Sequence, residues 1–409
     1  MSSMPPLLLP TRNRPTALAG VLSYLSKFYP DCRVIIADGS SEFHQIANFE
    51  IVQSCPLKNI EYRKFPNTLS LPDRLIDILE NETSSYFIMG ADDDYPLLEA
   101  FAGAADFLDN NPDYSVAVGS SFKLNLRSAN HLTAKLEIPR HLPLAKPQYR
   151  CLHFSRWSFP TTYAIARREV LIERYRTLKA YFIPGFVDFT IGLIDCLQGK
   201  LAVLPDLSFI RTSHFAASHI RHRSGIGFLS DGPQIINLQA DIQKRLAEIE
   251  EISSTSANSL ANRIFRNRIN ELCGRRELLE NVVKAAEFDA SIPRVQAELF
   301  NDLFRTGTPA RARYAERLQM IANNVYTALR SDDNLNEPQK VFSLGAQQSQ
   351  KLSDQSALQR ERVETRIQAN IDARTEALIP KKDFVGSPNY NIKVDPETLE
   401  FIEGLGFGR

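Results

Sequence analysis

The chain predicts an α/β fold, a mostly parallel sheet with helices on both faces, continued by an α-helical region. Three observations carry that expectation. Apolar runs of strand length alternate with amphipathic stretches of helix length between Pro6 and Pro205. Polar loops follow several of those runs, at the sheet edge where ligands bind in such folds. Near Ser230-Asp231-Gly232-Pro233 the alternation gives way to narrow apolar stripes at spacings of three or four.

Taken in order, Pro6 to Pro10 reads as the first strand and Thr11-Arg12-Asn13-Arg14-Pro15 as the turn after it. Leu18, Val21, Leu22, Leu25 and Phe28 repeat at helical spacing behind a proline suited to a first helical turn. Arg33 to Ala37 is the second strand, running into Asp38-Gly39-Ser40-Ser41, and Ile60 to Lys64 is the third. Leu71 to Leu79 forms a helix, Tyr86 to Met89 a strand that runs into Gly90-Ala91-Asp92-Asp93-Asp94, and Leu97 to Leu108 the next helix. Tyr114 to Gly119 is a strand with Ser121 to Leu126 as its hairpin partner, followed by a polar loop to about Arg150. Trp157 to Ala166 precedes a helix over Arg168 to Leu178; Asp188 precedes another over Thr190 to Leu197, and strands follow at Leu201 to Pro205 and Leu207 to Ile210.

In the remainder, Ile235, Leu238, Ile242, Leu246 and Ile249 mark a helix, as do Tyr314, Leu318, Ile321, Val325 and Leu329, with Leu260 to Val283 between them. Ser331 to Gln359 is a polar, Gln/Ser-rich linker, Arg362 to Leu378 one more helix, and Pro380 to Arg409 a tail without a pattern. The domains so defined are 5–230, 231–330 and 331–409.

Composition narrows the partners. With 48 basic and 48 acidic residues the formal charge is zero, which argues against nucleic acid as a partner. The five cysteines form no CxxC pair, so a disulfide framework or a zinc site is not expected, and a reducing cytoplasm is. No apolar run is long enough to cross a bilayer, and Met1 to Leu9 lacks the pattern of a signal peptide, so no transmembrane segment is expected. A cytoplasmic location follows, with peripheral association at the inner membrane left open.

The acidic triplet is the sharpest chemical signal. Three carboxylates delivered by an apolar strand are costly to bury unless something positive compensates them. Oxygen ligands suit hard cations such as magnesium or manganese, which complete their shells with water and substrate phosphate. A solvated acidic turn before a helix is the bland alternative. Because loops after parallel strands share one edge, Thr11 to Arg14, Asp38 and Asp92 to Asp94 are expected to line one crevice.

Leu7 to Pro15, Val34 to Ser40 and the Asp92-Asp93-Asp94 loop together resemble the opening of bacterial family 2 glycosyltransferases of the GT-A fold; with the motifs that follow, the likeness covers 5–223. The resemblance implies transfer of a sugar, with inversion, from a nucleotide-diphosphate donor, most commonly a UDP-sugar, to a hydroxyl of a glycan or other acceptor. It implies that Thr11, Arg12, Asn13, Asp38 and Arg74 hold the nucleotide, that Asp92 and Asp93 belong to the donor site, and that Asp94 binds a divalent cation, Mn2+ or Mg2+, on the diphosphate. Family members often write this loop Asp-x-Asp-Asp, and Ala91 stands where the first acid would be. Asp92 with Asp94, or Asp93 with Asp94, therefore both remain as the working pair.

Val187-Asp188 corresponds to the family's Glu-Asp motif, with valine replacing glutamate, and the resemblance makes Asp188 the general base. Chemistry requires one, because the attacking hydroxyl must lose its proton on the face opposite the departing diphosphate. Asp188 also suits a helix N-cap, and the two roles are compatible. All seven histidines precede position 223; the resemblance implies a third metal ligand in this region, for which His214 is the candidate, against the alternative of a polar surface loop through His219 and His222.

Two other readings compete. A sugar-nucleotide pyrophosphorylase shares the sheet and metal logic but should carry a Gly-rich loop after the first strand, and Thr11 to Pro15 contains no glycine. A non-catalytic assembly or binding protein would use the helical half as its surface. The narrow stripes there suit a core-forming bundle, or contact with a second copy of the chain in a homo-oligomer.

Overall fold

The computed structural model describes residues 4–214 except 129, 130, 138, 157 and 184, then 232–272, and a scatter of helical residues between 309 and 327. The expected linker at Ser331 to Gln359, the helix at Arg362 to Leu378, the tail, the end of the Leu260 to Val283 helix, and the loop carrying His219 and His222 lie outside the described residues.

Among the described residues nine strands form one mixed sheet: β1 (Leu7–Thr11), β2 (Arg33–Asp38), β3 (Asn59–Lys64), β4 (Tyr86–Met89), β5 (Tyr95–Pro96), β6 (Tyr114–Ser128), β7 (His131–Glu137), β8 (Ile165–Arg167) and β9 (Lys200–His214). Their order is β3-β2-β1-β4-β8-β6-β9-β5, with β7 paired to β6 off this path. The first four are parallel, Leu7 lying opposite Val34 and Ile88. β8 is antiparallel to both β4 and β6, which makes β6 and its parallel neighbour β9 point the same way as β4.

Helices cover both faces, as the near-continuous apolar runs of the central strands require. They are α1 (Pro15–Phe28), α2 (Glu42–Ser54), α3 (Leu71–Asn81), α4 (Ala104–Asn110), α5 (Pro147–Arg156), α6 (Arg168–Ala180), α7 (Val187–Gln198), α8 (Gly232–Glu250) and α9 (Ser254–Leu272). Alternation along the strands divides the core in two. Leu7, Leu9, Val34, Ile36 and Ile88 pack with α1, α4 and the helical residues Tyr314, Leu318 and Ile321. Leu8, Ile35, Ala37, Phe87 and Met89 face α3 and α5 to α7, in a core that extends to α8 and α9. The α8 stripe is spent inside the molecule: Leu238, Ile242 and Leu246 are fully buried, each stabilising the fold by roughly 1.5–3 kcal/mol.

Several elements differ from the sequence expectation. Ser121 to Leu126 continues the strand that starts at Tyr114, and the hairpin partner is β7 instead. The register of β6 against β9 shifts around Ser120, and Gly119 packs where a Cβ would strike Ser208, so what resembles a turn in sequence is a bulge. The two strands read at Leu201 to Pro205 and Leu207 to Ile210 are likewise one, β9. The Leu97 to Leu108 helix is broken into a 3-10 turn, Leu98–Phe101, and α4 by Gly103 at φ 75°. α2 carries no inward apolar stripe to betray it, because Phe43, Ile46 and Phe49 are exposed and only Asn48 and Val52 are buried. The polar loop before Arg150 turns helical from Pro147.

Helices α5 and α7 meet at Gly192, where an added Cβ would fall inside the Phe154 ring. Gly192→Ala is expected to lower stability by about 1–3 kcal/mol through overpacking, read as the shift in a denaturant or thermal unfolding curve.

Candidate functional site

The carboxyl ends of β1, β2, β4 and β9 share one edge of the sheet. α7 runs back to the start of β9, so its N-terminus lies at that edge as well. Sequence-distant loops therefore converge for topological reasons.

The acidic triplet leaves β4 through a tight turn in which Ala91 and Asp94 bridge. Thr11 Oγ1 donates to Asp92 Oδ2 at 2.8 Å. Arg14 spans the first two acids, Nη1 to Asp92 Oδ1 at 2.7 Å and Nη2 to Asp93 Oδ2 at 2.6 Å. Asp94 is held from the other side of the crevice: Thr212 N donates to Oδ1 at 2.7 Å, the Tyr163 hydroxyl donates to Oδ2, and Arg211 Nε stands 3.7 Å from the same oxygen. Arg211 also lies over the Tyr163 ring at 4.6 Å and pairs with Glu137 at 2.7 Å.

Burial governs the electrostatics. It pushes the pKa of Asp92 and Asp94 up to about 6, with Asp93 repelling both; Arg14 and Thr11 oppose the rise at Asp92, as Arg211, Tyr163 and the Thr212 N–H do at Asp94. Burial also disfavours the charged guanidiniums, but the acids outweigh it. Asp92 and Asp93 hold Arg14 above the ordinary arginine value, and Tyr163, Glu137, Asp94 and Asp188 do the same for Arg211.

Asp188 sits in the first turn of α7 and is exposed; Phe186 occupies the cap position. Its carboxylate accepts from Thr162 Oγ1 at 2.8 Å. Tyr163, next to Thr162 in the chain, donates to Asp94, which places Asp188 on the Asp94 side of the crevice. The lone acid and the triplet thus belong to one electrostatic neighbourhood.

The remaining expected donor residues divide into floor and rim. Asp38 is fully buried and saturated by Ser40 N at 2.7 Å, Asn48 Nδ2 at 2.8 Å and the Tyr62 hydroxyl, so it organises the loop after β2 from within. Arg74 is buried too, Nη1 donating to Ala37 O at 2.6 Å and Thr11 O at 3.0 Å, which ties the ends of β1 and β2 together. A Cβ at Gly39 would collide with its guanidinium. Burial, with Arg12 adding to it, lowers the Arg74 pKa. Asn13 adopts φ 55°; its N–H donates to Ser40 Oγ at 2.8 Å and its Oδ1 accepts from Ser41 N at 2.8 Å. Arg12 is exposed and reaches Asn67 O at 3.2 Å.

The donor chemistry fits a hard cation. Three carboxylates face two guanidiniums at this edge. Among the described residues no three Asp, Glu, His or Cys side chains form a closed metal cage. An ion whose shell is completed by phosphate and water does not need one. His214 ends β9 opposite Leu126, and its side chain lies outside those described.

Sequence reasoning placed these stretches near the crevice but named none of Arg14, Arg211, Thr162 and Tyr163 as a site residue. Arg14 and Arg211 stood in plain view in polar loops. The partners of Thr162 and Tyr163 lie 26 and 69 positions away, which no local spacing reveals.

Because the folded pKa of Asp92 and Asp94 exceeds the ordinary aspartate value of 3.8, the folded state takes up protons first as pH falls through about 6. The stabilisation from these two groups is fully present below the unfolded pKa and is lost as pH rises through about 6. Cation binding should follow the opposite course, weakening about tenfold for each such proton between about pH 7 and about pH 5, as titration calorimetry with Mn2+ would measure.

No family model matches the chain, and no curated protein matches it. Among solved structures it resembles S. aureus TarS at 12% identity and a TM-score of 0.43, the match covering 80% of this chain and 49% of that one. The chain thus spans about half the length of that protein. A structure of TarS residues 1–349 in complex with UDP-GlcNAc matches at 16% identity and a TM-score of 0.42, covering 80% and 90%. The mannosyltransferase PcManGT from Pyrobaculum calidifontis, in complex with GDP-Man and Mn2+, matches at 13% identity and a TM-score of 0.34, covering 82% and 87%.

Proposed function

We propose that the chain is an inverting, family 2-like glycosyltransferase of the GT-A type, using a nucleotide-diphosphate sugar and a hydroxyl acceptor. One observation carries the reading: the adjacent residues Thr162 and Tyr163 donate to Asp188 and Asp94, so a lone acid and an acid cluster address one crevice. The resemblance in the Leu7 to Pro15, Val34 to Ser40 and Asp92 to Asp94 stretches supplies the chemistry.

Asp188 takes the proton of the acceptor hydroxyl as its oxygen forms a bond to the anomeric carbon. The bond from that carbon to the diphosphate breaks on the opposite face, and its electron pair leaves with the nucleotide. Thr11, Asn13 and Arg12 bound the nucleotide side, where Asp38 and Arg74 fix the loops from below, and Asp92 and Asp93 complete the donor wall. Asp94, with Asp93 beside it, would hold a divalent cation, Mn2+ or Mg2+, which would supply charge neutralisation on the leaving diphosphate. Arg14 and Arg211 keep the three acids in place against their mutual repulsion.

A thermal-shift screen of UDP- and GDP-sugars, with and without Mn2+, identifies the donor. Asp188→Asn should then lower transfer by roughly 10²–10⁴-fold while donor binding persists, and unchanged turnover would remove Asp188 from the reaction. Asp94→Ala should abolish the Mn2+-dependent part of nucleotide binding. Binding indifferent both to the metal and to that substitution would instead favour a non-catalytic binding protein.

A further inference from the structure

The segment Thr161-Thr162-Tyr163 presents an unusual pattern: three consecutive side chains each donate to a different carboxylate. Thr161 Oγ1 reaches Asp195 Oδ2 at 2.5 Å, Thr162 Oγ1 reaches Asp188 Oδ1 at 2.8 Å, and the Tyr163 hydroxyl reaches Asp94 Oδ2. Asp195 lies two turns after Asp188 on α7. It is paired with Arg174 at 2.5 and 2.8 Å, and both are completely buried, so this end of the segment is anchored in the core. The other end is tied to β4, since Met89 N donates to Ala164 O at 3.4 Å just before the acidic turn. Ala164 N in turn donates to Thr161 O at 3.1 Å, which closes the segment into a tight turn.

Asp188 is the exposed member of the three acids, and Thr162 makes its one hydrogen bond among the described residues. An exposed carboxylate rotates freely unless one oxygen is pinned. Resting on the general-base reading of Asp188, we propose that Thr162 is a positioning residue for the reaction. It fixes Oδ1 of Asp188 and reserves Oδ2 for the proton of the acceptor hydroxyl. Thr161 and Tyr163, through Asp195 and Asp94, set how far that oxygen stands from the donor side. The segment is thus a spacer between the group that accepts the proton and the group that faces the departing diphosphate.

The test measures release of nucleoside diphosphate from UDP-GlcNAc, UDP-glucose and GDP-mannose with Mn2+, water serving as acceptor. Thr162→Val keeps the shape and removes the hydroxyl. Its kcat should fall about tenfold with donor KM unchanged, Thr162→Ala should behave alike, and Thr162→Ser should restore turnover. Combined with Asp188→Asn, Thr162→Val should cause no further loss, because it acts only through that carboxylate. Wild-type kcat in Thr162→Val, or a loss that adds in full to that of Asp188→Asn, overturns the assignment. If Asp188→Asn abolishes turnover while Thr162→Val does not lower it, this inference alone fails. If Asp188→Asn is as active as the wild type, or if no donor is turned over, the general-base reading fails and this inference with it.

Discussion

The structure depends on placing three adjacent carboxylates at the end of a buried strand. Water would solvate them at little cost, whereas the protein must supply the compensating charge itself. Arg14 supplies it from the turn after β1 and Arg211 from the end of β9, so the two halves of the sheet meet electrostatically at Asp92 to Asp94. Neither arginine can reach its partner unless the strand order is correct. The same charges that give the site its chemistry therefore also report on whether the fold has closed. Burial still raises two of the acids, Asp92 and Asp94, above the ordinary aspartate value.

Around that centre the molecule separates rigid support from exposed chemistry. Asp38 and Arg74 are buried and tie the loops after β1 and β2 in place, while the buried pair Arg174 and Asp195 joins α6 to α7. Asp188, Arg12 and part of Asp93 stay at the surface, where a ligand can meet them. α8 and α9 enlarge the second core beside α5 to α7. On the opposite face Arg317 and Tyr29 both bond Glu99, and Arg317 lies over the rings of Phe28 and Tyr29, fastening a late helical segment to α1.

Much of this was legible along the chain. The period-2 and period-3.6 patterns gave β1, β2, β4, α1, α3, α6, α7 and α8 close to their observed limits, because each buries a regular apolar stripe. Patterns failed where burial is irregular. α2 leaves Phe43, Ile46 and Phe49 in solvent, and the small residues Gly119, Ser120 and Ser121 looked like a turn though they form a bulge. In the site, Thr11 and the triplet were foreseen as neighbours and are hydrogen bonded. Asp38 and Arg74 were foreseen as nucleotide contacts, and the fold encloses both beneath the loops.

The sequence by itself determined the alternation of elements, the two-sided burial of the central strands and the delivery of acids to a strand end. Those properties reside in residue types at fixed local spacing. Only the tertiary structure decided which charges answer the acids, which threonine holds Asp188, and which foreseen contacts face inward. Such pairings join residues that are tens of positions apart, and a hydrogen bond is set by distance in space, to which spacing along the chain gives no guide.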